Sequence, residues 1–229
     1  MACDSKELLQ ERWCAAWVDG RPDVRDSTFE LLWTLYTGPG RCYHGPRHLV
    51  DCLGVLDRYA PRAAVFNKNT VELALFFHDA FMGVMAASQR VVGGVDAASG
   101  ERASADFAGA IFTSVECPET ARAVINCVLA TQHFGDGLYI PSWETNITHD
   151  VDLHCLATPW AIFKANTRYI RQEYLQYSDE EFCAGRLRFY KDMASRPRLY
   201  LSAEFAPLEQ VARVNLQKAI QEMESLDER

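Results

Sequence analysis

Apolar residues recur at intervals of three and four along most of this chain, the spacing of helices that set one face on a core. Strictly alternating segments of the kind that form half-buried strands are hard to find. Residues 5–18 place Leu8, Leu9, Trp13, Ala16 and Trp17 on one stripe, with Asp4 or Ser5 to cap the start and Asp19-Gly20 to end it. A second helix is predicted over 26–37, from Ser27 through Phe29, Leu32, Trp33 and Tyr36, and TGPG at 37–40 stops it. Pro46, a good first helical residue, opens a third through Leu49, Leu53 and Leu56. Residues 69–82 carry Val71, Leu73, Ala74, Leu75, Phe76 and Phe77, apolar nearly all round, which predicts a helix at the centre of the core. Over 83–100 the pattern dissolves into small residues with a Gly-Gly, read as a mobile loop between two halves of a site. Further helices are predicted over 101–115, 118–133, about 150–157, 159–176, 179–194 and 206–226. The expected fold class is all-α: one helical domain over 1–229, with 1–40 a helical extension, about 41–176 the chemical core and 177–229 docking helices.

Composition narrows the function classes more than the fold. The chain is 48% hydrophobic and 24% charged, a globular balance, and its formal charge of −8 works against nucleic-acid polymers and anionic membrane surfaces as partners. Eight cysteines lie scattered with no CxxC pair, so they read as small hydrophobes of a reducing compartment. The charged start MACDSKELLQERW does not resemble a secretory leader, and no run approaches the roughly 18 apolar residues of a membrane span. The expected location is the cytoplasm, and a homodimer is compatible with everything above.

Candidate chemistry centres on His78-Asp79, two strong polar ligands at the end of the most hydrophobic predicted helix, in LALFFHDAF. A buried imidazole and carboxylate must be hydrogen-bonded, ion-paired or bound to metal, because desolvating them unpaired costs several kcal/mol. For an isolated dipeptide the plain alternative is a pair satisfied by backbone. The surroundings add to it: YHGPRHL at 43–49 supplies His44 and His48, and THDVDLHCL at 148–156 supplies Asp150 and Asp152, each at or near a predicted helix end.

In that order of a lone His, an adjacent His-Asp and a distant Asp, the chain resembles the HD-domain phosphohydrolase superfamily. Within it the chain looks like the subgroup described as predicted metal-dependent phosphohydrolases. YHGPRHL, FFHDAF, ERASADFA, VLATQHF, DVDLHCLA, TRYIRQEY and GRLRFYKDMASRPRLY carry the likeness over about residues 41–217. The resemblance implies an HD-domain-like helical bundle that hydrolyses a small phosphorylated metabolite or nucleotide. It also implies His48, His78, Asp79 and Asp152 as metal ligands, with Asp152 favoured over Asp150 because DLH matches the superfamily's final aspartate. Two imidazoles and two carboxylates suit one divalent ion such as Mn, Fe, Co, Ni or Zn, with Mg as a further option. The chain departs from the subgroup after FHDA, where Phe81-Met82 replaces the usual tyrosine.

Other residues carry two readings each. His133 is expected to act in catalysis, through substrate or a second metal, or else to bond the last carbonyls of its helix. His44 either reaches the cavity as a substrate contact or caps the helix that Pro46 opens. Glu101 is a general base or orienter for water, or an acidic first-turn residue favoured by the helix dipole. Arg47, Arg102, Lys164, Arg168 and Arg171 are the candidate phosphate-binding cations, with a structural ion-pair role the alternative for Arg171 and Glu173 of IRQEY. GRLRFY and RPRLY are expected to dock the C-terminal helices, and His149 and His154 to be structural. Two other function classes remain beside the hydrolase: a catalytically silent nucleotide- or phosphate-binding module, and a structural helical partner without metal.

Overall fold

A computed structural model of the chain describes residues 2–17, 21–61, 64–82, 100–133 and 139–227. These form ten α-helices: α1 (Ala2–Ala16), α2 (Pro22–Tyr36), α3 (Pro46–Tyr59), α4 (Val65–Phe77), α5 (Gly100–Ser114), α6 (Pro118–Ala130), α7 (Trp143–Leu153), α8 (Trp160–Glu173), α9 (Asp179–Ser195) and α10 (Glu209–Asp227). Two 3-10 turns, His154–Ala157 and Ala206–Leu208, complete the regular structure, and no strand occurs among the described residues. The all-α expectation holds. No helix among them is long and apolar enough to cross a membrane.

Helix α4 occupies the middle through its second half, residues 71–77, which is apolar nearly all round. Val71, Leu73, Ala74, Leu75, Phe76 and Phe77 are each 2% exposed or less, and α1, α3, α5, α6 and α7 all pack against it. Burying each large side chain contributes on the order of 1.5–3 kcal/mol. The polar exception, Glu72, is buried and met by Arg12 of α1 at 2.6 Å, and Arg12 also holds Asp57 of α3 at 2.7 Å. That ion cluster ties the first helix to the core, as do the Trp13 rings against Phe76 and Phe77. Helices α1 and α2, within the segment expected as a helical extension, contribute side chains to the core. One cluster of buried apolar side chains draws on all ten helices.

Several boundaries differ from the periodicity. Helix α2 begins at Pro22 rather than near Ser27, since a proline in the first turn loses no hydrogen bond and has a helical φ. Helix α7 begins at Trp143, well before 150. There the Thr145 N–H donates to the Ser142 side chain at 3.2 Å, and the Ser142 N–H donates back to Thr145 Oγ1 at 2.7 Å. This is a capping box built on threonine. Helix α4 stops at Phe77 rather than 82, so His78 and Asp79 lie in the turn that follows it. The loop expected over 83–100 falls, up to residue 99, outside the described residues.

Candidate metal centre

Three parts of the fold bring the chemical residues together. His48 sits in the first turn of α3, His78 and Asp79 form the turn after α4, and Asp152 lies near the end of α7. His48 is 4% exposed, His78 fully buried and Asp79 5% exposed. His48 Nε2 is 3.2 Å from His78 Nε2, 3.4 Å from Asp79 Oδ2 and 3.4 Å from Asp152 Oδ1. His78 Nε2 is 3.0 Å from Asp79 Oδ2 and 3.5 Å from Asp152 Oδ1. One ligand atom from each of the four residues lies within 4.8 Å of every other.

These separations fit a common ion. Ligand atoms about 2.1 Å from a metal stand about 3.0 Å apart at right angles and about 3.4 Å apart at tetrahedral angles. The donor chemistry agrees. His78 Nδ1 lies 2.7 Å from the Leu75 carbonyl, so in the neutral ring Nδ1–H donates there and the Nε2 lone pair faces the cluster. Asp79 Oδ2 is buried and makes no well-formed hydrogen bond, facing the imidazoles of His78 at 3.0 Å and His48 at 3.4 Å with lone pairs open to a cation. Burial opposes charge on His78, yet Asp79 and Asp152 hold its pKa well above that of an ordinary histidine. Burial would likewise raise both carboxyls, but the surrounding imidazoles outweigh it, so Asp79 and Asp152 stay well below the usual carboxylate range. The cluster demands positive charge at its centre. The residues present therefore fit a divalent cation, and the side chains do not choose among Mn, Fe, Co, Ni, Zn and Mg.

The turn carrying His78-Asp79 is held from several sides. Arg41 donates to the carbonyls of Asp79 at 2.8 Å, Ala80 at 2.7 Å and His44 at 3.0 Å. The Asp79 N–H donates to Tyr36 Oη at 3.2 Å, and the Phe81 N–H donates to Ser104 Oγ at 3.2 Å. Arg41 and Tyr36 were absent from the sequence-based candidates, because neither belongs to a chemical motif.

The two aspartates of THDVDLH separate cleanly. Two residues apart on a helix they project about 200° apart. Asp152 reaches the metal cluster, whereas Asp150 turns to the other side and accepts from the N–H groups of Leu201 and Ser202 and from Ser202 Oγ at 2.6–3.0 Å. His149 Nδ1 lies against Asp150 at 2.8 Å and His154 Nδ1 against the Val151 carbonyl at 2.6 Å, structural placements for both.

A cavity of about 450 Å3 opens beside the cluster, with Asp79 and Asp152 in its wall. His44, Glu101 and His133 line it too. His133 Nε2 is 2.9 Å from Asp152 Oδ2, so this ring steadies a ligand carboxylate, while its carbonyl receives Arg196. His44 Nδ1 lies 2.5 Å from Glu173 Oε2, and Glu173 Oε1 accepts the N–H groups of Tyr43 and His44. Burial opposes charge on His44, and Asp79 and Glu173 nevertheless raise its pKa.

The five expected phosphate cations are placed elsewhere. Arg47 is 85% exposed at its side chain, 4.0 Å from Asp51. Arg102 sits 3.4 Å from Asp106, Lys164 pairs with Glu222, Arg168 is exposed, and Arg171 binds Asp179 and the carbonyls of Tyr174 and Tyr177. None of the five is in the cavity wall. Helix phase explains the last three: the buried stripe of α8 runs through Phe163 and Ile170, and residues 164, 168 and 171 lie one position round. Among the described residues, the arginine or lysine in the wall is instead Arg186 of α9, fixed by Tyr190 Oη at 3.0 Å and by the faces of Phe189 and Tyr190. GRLRFY thus lines the site as well as packing helices, and the wall extends past residue 176. An arginine three and four residues before two aromatics was the sequence signal for it.

Comparison with models of known protein families and comparison with curated proteins each return no match to this chain.

Proposed function

We propose that this protein is a metal-dependent phosphohydrolase of the HD type, acting on a small phosphorylated molecule in the cavity beside the His48, His78, Asp79 and Asp152 cluster. The observation that carries this reading is the convergence of those four side chains on one point, with a buried Asp79 oxygen that makes no well-formed hydrogen bond, at the wall of a cavity that also holds a fixed arginine. When bound, a divalent ion there polarises a phosphoryl oxygen and lowers the pKa of water.

The chain's own groups divide the remaining work. Arg186 binds phosphoryl oxygens opposite the cluster, its guanidinium pre-oriented by Tyr190 Oη and two rings. Glu101, in the cavity wall, takes the proton of the attacking water as its oxygen bonds to phosphorus and the phosphorus–oxygen bond of the ester breaks. His44, with Nδ1 engaged by Glu173, offers Nε2 to the departing oxygen, which recovers a proton there. His133 keeps Asp152 oriented through its second oxygen. Products are inorganic phosphate and an alcohol, with one water consumed.

The test is elemental analysis of protein purified without chelator, followed by a phosphate-release screen with the identified ion supplied. The expected result is close to one transition metal per chain, and turnover that falls by about a thousandfold or more in His78→Ala. Metal-free protein, or metal-replete protein inert across phosphomonoesters and nucleotides, sinks the proposal.

A further inference from the structure

The walls of the same cavity constrain what it accepts. Apart from the metal cluster and the two histidines, its lining carries one fixed cation among the described residues, Arg186, and two further carboxylates, Glu101 and Glu181. A chain of phosphates would bring three or four negative charges to a wall whose described residues offer one guanidinium. A single phosphoryl group, by contrast, is matched by the cluster and Arg186 together.

Much of the remaining wall is aromatic or apolar. Tyr174, Tyr177, Phe182 and Phe189 contribute rings, with Ile170 and Leu156 between them. The Tyr174 ring stands 6.1 Å from Tyr177 and 6.2 Å from Phe182, so three rings neighbour one another in this wall, with the Arg171 guanidinium over Phe182 at 5.2 Å. Burial, and then the neighbouring charges of Glu101, Glu173 and Asp79, push the Tyr174 hydroxyl up to about 12. Such a surface favours flat, uncharged carbon skeletons and disfavours additional anions. The volume of about 450 Å3 suits a phosphoryl group attached to a ring system of modest size.

We infer that the site selects phosphomonoesters whose non-phosphate part is a flat, uncharged, unsaturated ring, and discriminates against polyphosphates and against substrates with a second anionic group. This rests on the reading of the cluster as a metal centre that receives a phosphoryl group. Within it, Phe182 and its neighbouring rings are specificity residues for the ring, and Glu181 repels a second anion while its other oxygen caps α9 through the Ser178 N–H.

Equilibrium binding separates this inference from catalysis. Full-length protein loaded with Mn(II) is titrated calorimetrically with phenylphosphonate, methylphosphonate and 4-carboxyphenylphosphonate, whose phosphorus–carbon bonds are not hydrolysed. Phenylphosphonate is expected to bind at least about tenfold tighter than methylphosphonate, as burial of one ring predicts. The carboxylated ring is expected to lose most of that advantage. Phe182→Ala should lower the phenyl-to-methyl ratio, and Glu181→Gln, which keeps the cap, should relieve the penalty on the carboxylated ring. A phenyl-to-methyl ratio near one, tighter binding of the carboxylated ring, or no binding of any of the three overturns the inference. Release of phosphate from phenyl phosphate is measured alongside. A ring preference without turnover upholds the inference and overturns the hydrolase reading, whereas turnover without a ring preference does the reverse.

Discussion

Replacing Arg41 tests how the His78-Asp79 turn is kept in place. Arg41 spends three donors on carbonyls, those of Ala80 at 2.7 Å, Asp79 at 2.8 Å and His44 at 3.0 Å, and its guanidinium lies over the Tyr36 ring. A hydrogen bond with one charged partner is worth about 1.5–3 kcal/mol. Ala80 is fully buried and Asp79 5% exposed, so water reaches their carbonyls poorly once Arg41 is gone, whereas half-buried His44 recovers solvent more readily. Arg41→Leu is therefore expected to lower unfolding free energy by about 3 kcal/mol, set mainly by the two turn carbonyls. Because Asp79 is itself a proposed ligand, the same substitution should weaken metal binding about tenfold or more, the usual scale for a residue that orients a ligand. Urea unfolding of the metal-free protein reads the first quantity, and calorimetric titration with Mn(II) reads the second. Arg41→Lys keeps the charge but loses the planar fork, and should fall between wild type and leucine in both. An Arg41→Leu protein that unfolds within about 0.5 kcal/mol of wild type and binds Mn(II) within about twofold would refute the reasoning.

Removing the metal should lower the melting temperature, and adding it back at about a hundred times its dissociation constant should restore about 2.7 kcal/mol, an increment absent in His78→Ala. The two aspartates of α7 should separate by assay: Asp152→Ala abolishes Mn(II) binding, while Asp150→Ala keeps it but costs about 3 kcal/mol or more, because the N–H groups of Leu201 and Ser202 lose their buried acceptor. If both variants lose metal equally at full stability, the separation by helix phase is wrong. Burial would raise the Asp57 carboxyl, but Arg12 and Lys68 outweigh it and lower it. A depressed folded-state pKa gives stability that is complete above the ordinary carboxylate value and is lost as pH falls through the folded value. Asp57→Asn should therefore flatten the fall of stability below about pH 4, measured by urea midpoints across an acid series.

The sequence showed the helices where one periodic signal dominated. The apolar stripe of α1 and the run of α4 from Val71 to Phe77, interrupted only at Glu72, are properties of short stretches of consecutive residues, and both helices are found, each a few residues nearer the N-terminus than expected. Helix α7 was cut short because its first half, WETNITH, mixes β-branched and polar residues, and its start rests on a serine–threonine box rather than on the more familiar glutamate. At the site, helix phase sorted neighbours that residue type alone could not. Asp152 and Asp150 have the same chemistry and opposite faces, and Glu101 lines the cavity while Arg102 next to it pairs with Asp106. Arg171 and Glu173 divide in the same way, one to Asp179 and the other to His44. Arg41 acts through contacts made across the fold, which no local window contains, whereas Arg186 is held by aromatics three and four residues on, and only the fold brings it into the cavity wall. Arg41 reaches carbonyls 38 and 39 residues away.

The position of the His-Asp pair just past a helix end follows from geometry. In a continuing α-helix, neighbouring side chains project about 100° apart, and one ion is hard to reach from both. Here His78 Nε2 and Asp79 Oδ2 come within 3.0 Å where the helical ladder gives way: the His78 N–H still reaches the Ala74 carbonyl, and the Asp79 N–H goes to Tyr36 instead. Ending a helix in the core exposes its last carbonyls and the turn's own N–H groups to a dry environment, at a cost of about 1–3 kcal/mol for each group left unmatched. Arg41 meets the carbonyls, and Tyr36 and Ser104 meet the N–H groups of Asp79 and Phe81. A paired His-Asp ligand in a buried turn thus requires a set of positioning residues drawn from other helices. The dipeptide and that set form one structural unit, although only the dipeptide looks like chemistry in the sequence.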